Sequence, residues 1–287
     1  MKGGVGKTTT VISLAETLAT DQNTPVLVID IDTQANASYC IAGDERLERC
    51  IYNNHTIDEF FYTKLVGTLP FSLEDIAQTQ ISQVTHLGQP LNVSLIASSP
   101  QLRVTEREII HILTRNKYDM GAIEGRSTQV LGREIEKLRE KYEYIIFDCA
   151  PGISAFTVAA ITLSDMVIVP TIPDFLSHLG LTAFLKNVLR DIGKRDRPTR
   201  PYVLITRKTG HKQHSQYHEE LIRESRKADA RFSLFETTIP ESTKFPRALN
   251  SIEEGQLTYR RKYESPLDTV LSDLAAEVKR ALYEHNH

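Results

Sequence analysis

The sequence predicts an α/β protein with a doubly wound, mostly parallel sheet and helices on both faces. Three observations predict it. The chain opens on a glycine–lysine–threonine loop that runs into an amphipathic segment. Two apolar runs, Pro25–Ile29 and Tyr144–Phe147, each lead into an aspartate. Elsewhere, apolar runs of strand length alternate with segments of helical spacing, the pattern of parallel strands joined by helical crossovers.

Composition agrees. The 287 residues are 40% apolar and 25% charged, with a net charge of −3, which excludes a disordered chain. The length suits a single domain over 1–287 with ample core. No apolar run approaches the roughly 18 residues needed to cross a bilayer. Cys40, Cys50 and Cys149 make no disulfide framework and fit a reducing cytoplasm.

The first element is the loop Lys2-Gly3-Gly4-Val5-Gly6-Lys7-Thr8-Thr9. Glycines let the backbone bend so that several N–H groups face one anion. Lys7 would reach the β- and γ-phosphates, and the Thr8 hydroxyl would ligate Mg²⁺. The helix that follows, apolar at Val11, Ile12, Leu14, Ala15, Leu18 and Ala19, adds its positive end. A phosphate loop usually carries a glycine five positions before Gly6; here that position is Met1, and Lys2 follows it. The string resembles the deviant Walker A motif of the ParA/MinD family of ATPases. That resemblance implies ATP and Mg²⁺ as cofactors and a homodimer closed around ATP. In it Lys2 would reach the partner's nucleotide.

Pro25–Ile31 reads as a buried parallel strand, and Asp30 and Asp32 lie at its carboxyl end, where ligands sit in doubly wound sheets. The segment resembles the family's D-x-D-P-Q-x-N motif, with Thr33 for the usual proline and Ala35 for the usual glycine. By that match Asp32 positions the attacking water and Asp30 supports the Mg²⁺ shell. Neither replacement removes a chemical group.

Residues 43–90 carry short apolar clusters such as Ile57, Phe60 and Phe61, read as variable helices and loops over one edge. Asn92–Ala97 reads as a strand, followed by a helix with Ile109, Ile110, Ile112 and Leu113. Val130, Leu131, Ile135 and Leu138 mark another helix. Tyr144–Asp148 resembles the family's Walker B strand, in which Asp148 holds Mg²⁺. Phosphoryl transfer needs a positioned water, a metal and positive charge on the phosphates. By the resemblance, Asp32, Mg²⁺ with Thr8, and Lys7 with Lys2 supply them.

A short helix over 154–163, a strand over 166–170, a helix over 178–192 and a strand over 202–206 follow. A helix over 214–228 and a strand over 233–239 complete the alternation. In the family the ends of the last two strands flank the adenine. Here Thr206, Arg207 and Pro240 hold those places. Thr206 stands where the family often has Asn and cannot match both edges of a base as an amide can. The C-terminal apolar stripe, Leu267, Val270, Leu271, Leu274, Val278 and Leu282, reads as a helix packed on the sheet. Its other face carries charges of both signs, which does not favour anionic lipid. His211, His214 and His218 read as a hydrated helix face rather than a metal site.

Charge is unevenly spread. Residues 186–231 hold thirteen Lys and Arg against six Asp and Glu, so a +7 segment sits in a −10 remainder. A local basic surface attracts phosphate whatever the net charge. Partition ATPases of the resembling family bind DNA non-specifically through basic residues of the C-terminal half. The candidates here are Arg190, Lys194, Arg195, Arg223, Arg226 and Lys227. The resemblance implies a cytoplasmic, nucleoid-associated ParA-type partition ATPase, slow alone and stimulated by a ParB-like partner. Two alternatives stay open: a cargo-positioning or regulatory switch without DNA, and a metabolic enzyme on the same fold. The resemblance also implies a central strand ahead of the loop, and Met1 stands where the loop is already under way. The expectation is a natural chain that starts one strand upstream, roughly 6–12 residues by usual strand lengths.

Overall fold

The computed structural model describes residues 4–22, 24–186, 200–242 and 257–286. The elements run α1 (Lys7–Ala19), β1 (Val26–Ile31), α2 (Asn36–Ala42), α3 (Asp44–Tyr52), α4 (Ile57–Leu65) and α5 (Leu73–Ile76). Then come β2 (Val84–His86), β3 (Gln89–Pro90), β4 (Val93–Ile96), α6 (Leu102–Arg115), α7 (Met120–Leu138) and β5 (Tyr144–Cys149). The chain continues as α8 (Ala155–Leu163), β6 (Ile168–Thr171), α9 (Phe175–Phe184), β7 (Tyr202–Lys208), α10 (Lys212–Ser225) and β8 (Ser233–Pro240). It closes with β9 (Leu257–Thr258), α11 (Tyr259–Lys262) and α12 (Leu267–Asn286).

The strands are mostly parallel and covered on both faces, as expected for a doubly wound α/β fold. Strand β1 is buried at every position because its two faces feed two cores. Val26 and Val28 join the layer of α1, α2 and α12, while Leu27, Ile29 and Ile31 join that of α4 to α8. Alternation of side chains across a strand makes both assignments follow from one apolar run. Strand β7 repeats the device, with Leu204 on one side and Val203 and Ile205 on the side of α9 and α10.

The sheet is not continuous. One parallel unit has the order β4-β1-β5, another β6-β7-β8, and a small third unit β3-β2-β9. Among the described residues, β5 pairs only with β1 and β6 only with β7. Between their free edges lies a cavity of about 720 Å³, lined by Tyr144–Cys149, by Met166–Pro170 and by Val11, Leu14 and Leu18 of α1.

Several helices start on side-chain caps. Asp119 Oδ1 accepts from Ala122 N at 2.8 Å, Ser154 Oγ from Thr157 N at 3.1 Å, and Asp174 Oδ1 from Ser177 N at 2.8 Å. The Asp174 cap places the start of α9 three residues earlier than the spacing alone predicts. The region 43–90 is more ordered than its mixed polarity implies. Phe60 and Phe61 are fully buried, and Phe61 stacks on Phe156 at 3.8 Å between centroids. Helix α12 packs Leu267, Leu271, Leu274 and Val278 into the core, as read from its stripe. A buried ion pair ties α1 to α11: Lys262 Nζ donates to Glu16 Oε1 at 2.7 Å, and the Tyr263 hydroxyl donates to Oε2 at 2.7 Å.

Candidate functional site

The loop closes on the N-terminus of α1. Gly4 and Gly6 have φ of +76° and +89°, left-handed values that a side chain would strain. Gly6 starts the helix, and its carbonyl accepts from Thr10 N and Thr10 Oγ1, each at 2.8 Å. The first N–H groups of α1 therefore remain for an anion. Val5 is buried, while Gly6, Lys7, Thr8 and Thr9 are half-buried at the mouth. Lys2 and Gly3 lie outside the described residues.

Two residues assigned to a base pocket brace this loop. The Thr206 hydroxyl donates to Val5 O at 2.7 Å. Arg207, at a left-handed φ of 51°, reaches Gly4 O at 3.3 Å and Glu241 Oε1 at 3.0 Å. Pro240 ends β8 just before Glu241, whose N–H donates to Lys208 O at 3.0 Å. Glu241 belongs to the same strand-end loop as Pro240, and its carboxylate holds Arg207 beside the glycine loop.

Strand pairing sets Asp30 opposite Asp148. Asp30 is fully buried and its oxygens are taken: Oδ1 by Asp32 N at 3.0 Å, Oδ2 by Ser38 N at 2.9 Å and Ser38 Oγ at 2.7 Å. Ser98 extends the network, its N–H donating to Ser38 Oγ at 2.9 Å and its hydroxyl to Asp32 O at 2.8 Å. Burial pushes the Asp30 carboxyl up to about 6, against the lowering effect of those hydrogen bonds. So Asp30 organises the turn that carries Asp32. Ser38, within α2, and Ser98, just beyond β4, have no role in the sequence reading.

Asp148 is the opposite case. It is fully buried, and neither carboxylate oxygen has a hydrogen-bond partner. Burial, then the Asp30 charge, push it up to about 8; the Thr8 hydroxyl, close by but without hydrogen-bond geometry, and the Lys7 charge pull the other way. A buried carboxylate left bare beside a hydroxyl offers oxygen ligands to a hard divalent cation, and Mg²⁺ held by Thr8 and Asp148 fits it. Asp32 is 7% exposed at the mouth, with Oδ1 accepting from Gln34 N at 3.0 Å. Ala35, where the resembling motif has glycine, adopts φ 49°, which explains the usual residue. Next to Asp148, burial and then the Asp148 charge push the Cys149 thiol up to about 12.

Of the basic candidates, Arg223, Arg226 and Lys227 stand exposed at the end of α10. Arg190, Lys194 and Arg195 lie outside the described residues. The α10 histidines make local contacts: His214 Nδ1 with the Thr209 hydroxyl at 3.0 Å and His218 Nδ1 with Lys208 Nζ at 2.8 Å. No helix among the described residues is long and apolar enough to cross a membrane.

A family model described as an AAA domain matches residues 1–198. The chain is 30% identical over 188 residues to the sporulation initiation inhibitor protein Soj of Bacillus subtilis, covering 65% of this chain and 61% of that protein. It is 28% identical over 181 residues to the chromosome partitioning protein ParA of Myxococcus xanthus, covering 63% and 53%. The chain thus spans about 60% of the length of the curated relatives it matches. Among solved structures, cobyrinic acid a,c-diamide synthase of Mycobacterium smegmatis with ADP and magnesium shares the fold at TM-score 0.69 and 19% identity, over 100% of this chain and 93% of that one. A putative plasmid partition protein of Borrelia burgdorferi bound to AMPPNP does so at 0.63 and 22%, over 98% and 96%.

Proposed function

The chain belongs to the AAA-domain family, within the ParA/MinD group of P-loop ATPases, and on that premise we propose that it is a partition ATPase that binds and hydrolyses ATP·Mg²⁺. The observation that carries the reading is the bare, buried Asp148 carboxylate facing Thr8 and Lys7 at the foot of a left-handed glycine loop. Bound Mg²⁺ would neutralise charge on the phosphates. The chain's own residues do the rest: the α1 N-terminus and Lys7 hold the phosphate oxygens, and Thr8 and Asp148 orient the metal. Asp32, fixed by the Asp30–Ser38–Ser98 network, directs a water at the terminal phosphate.

Dimerisation around ATP belongs to the same reading. ATP favours a dimer only by binding it better than the monomer, and Lys2 reaching across would supply the difference. The exposed Arg223, Arg226 and Lys227 support non-specific DNA binding, because phosphate contacts need charge and no base readout. A ParB-like, DNA-site-binding partner would stimulate hydrolysis, and the site of action would be the nucleoid in the cytoplasm.

The test pairs two measurements on the purified chain. Incubation with ATP and Mg²⁺ should release ADP and phosphate only, with no substrate added. Filter binding to random duplex should appear with ATP and weaken steeply with salt. Turnover that requires a second small molecule would move the protein to the metabolic alternative. Hydrolysis without any DNA binding would make it a cargo-positioning or regulatory switch.

A further inference from the structure

Away from the phosphate loop, ligating side chains of two helices converge. His178 comes from α9, and Glu220 and Glu224 come from α10. One ligand atom of each lies within 4.8 Å of the others, and His178 Nε2 is 3.9 Å from Glu224 Oε1. All three residues are half-buried in the seam rather than spread in solvent.

Three features set the group apart from an ordinary acidic surface. The two glutamates stand one helical turn apart, so their charges repel, and among the described residues no lysine or arginine pairs with either. The third member is an imidazole from a different helix, which acidic surfaces do not require. Its Nδ1 is sealed from solvent and has no hydrogen-bond partner, which leaves Nε2, on the glutamate side, as the ring nitrogen open to a ligand.

One imidazole nitrogen and two carboxylates make a three-ligand set with a fourth position open to water. The imidazole selects against Mg²⁺ and Ca²⁺, which take oxygen ligands, and toward zinc-like ions. We propose that His178, Glu220 and Glu224 bind a divalent transition-metal ion of the zinc class, which clips α9 to α10. The ion relieves the repulsion between the glutamates and fixes the C-terminal end of α10, the same end that carries Arg223, Arg226 and Lys227. The site is independent of nucleotide.

The experiment uses the full chain without nucleotide, in excess Mg²⁺ so that oxygen-only sites are filled. Co²⁺ is the spectroscopic probe. One equivalent should give a visible absorption band of low-coordinate nitrogen–oxygen ligation, and Zn²⁺ should displace it. His178→Asn should abolish the band. Glu224→Gln, nearly the same shape, should weaken binding by about tenfold or more, as losing one of three ligands does. His211→Asn should leave the band intact. Zn²⁺ should also raise the melting temperature of the parent chain and not of the His178→Asn or Glu224→Gln variants. A band that survives His178→Asn, or one lost in His211→Asn, would overturn the assignment; so would equal Co²⁺ affinity in folded Glu224→Gln.

Discussion

Asp30 and Asp148 face each other on neighbouring parallel strands, both without exposed surface, and only Asp30 has its oxygens hydrogen-bonded. The pair divides two carboxylates between two states: one builds a turn, and the other keeps both oxygens free of hydrogen bonds. It also costs stability when no cation is bound. Folded Asp148 keeps its proton up to about pH 8, whereas an unfolded aspartate loses it near pH 4. Between those values the unfolded chain binds fewer protons, so stability of the nucleotide-free protein falls as pH rises and levels off above about 8.

Asp148→Asn should flatten that decline. At about pH 8 it should raise the melting temperature by more than about 2 °C, the shift of ~1 kcal/mol in a protein of this size. The same variant should lose the Mg²⁺-dependent part of ATP affinity. Melting curves between about pH 5 and pH 8, with and without Mg²⁺-ATP, measure both effects. A decline as steep as the parent's would contradict the burial argument.

Asp32→Ala should keep ATP binding within about threefold and lower hydrolysis by ~10²-fold or more, the range for loss of a positioned acid–base group. Single-turnover hydrolysis beside fluorescent-nucleotide titration separates the two. An unchanged rate would remove Asp32 from the chemistry.

The Glu16–Lys262 pair has side chains only 2% and 3% exposed. Lys262→Met leaves Glu16 buried and unpaired except for Tyr263, at a cost of about 3–5 kcal/mol. Adding Glu16→Gln should recover a large part of it. Urea unfolding of the single and double variants measures the recovery, and none at all would mean that lost packing rather than stranded charge carries the cost.

The gap between β5 and β6 has a direct readout. Backbone amides of Tyr144–Cys149 and Ile168–Thr171 that face the cavity should exchange with deuterium much faster than those facing β1 and β7.

Reversing charge at Arg223, Arg226 and Lys227 should weaken binding to random duplex and flatten its salt dependence by about 0.9 per lost phosphate contact. Basal ATP hydrolysis should stay as in the parent. A salt slope equal to the parent's would place the DNA contacts elsewhere.

Much of the fold was legible because its signals are local. Apolar runs of strand length, helical spacing and the glycines of the loop each act within about ten residues, and β1, β4, β5, β7, β8, α1, α7, α8 and α12 lie where those signals point. The start of α9 was missed because a capping aspartate outweighed the apolar pattern. Residues 43–90 were opaque because Phe60 and Phe61 are buried by α6, α7 and α8, partners far along the chain.

The sequence by itself determined the chemistry at hand: a glycine loop, a lysine, a threonine and two strands ending in aspartate. Only the tertiary structure decided what each group does. Strand register put Asp30 beside Asp148, and the Ser38 and Ser98 contacts left one of the two bare. Folding also turned Thr206 and Arg207 onto the loop carbonyls and brought His178 to Glu220 and Glu224. Residue types and local periodicity are written along the chain. Burial, charge proximity and hydrogen-bond competition arise only when distant segments meet.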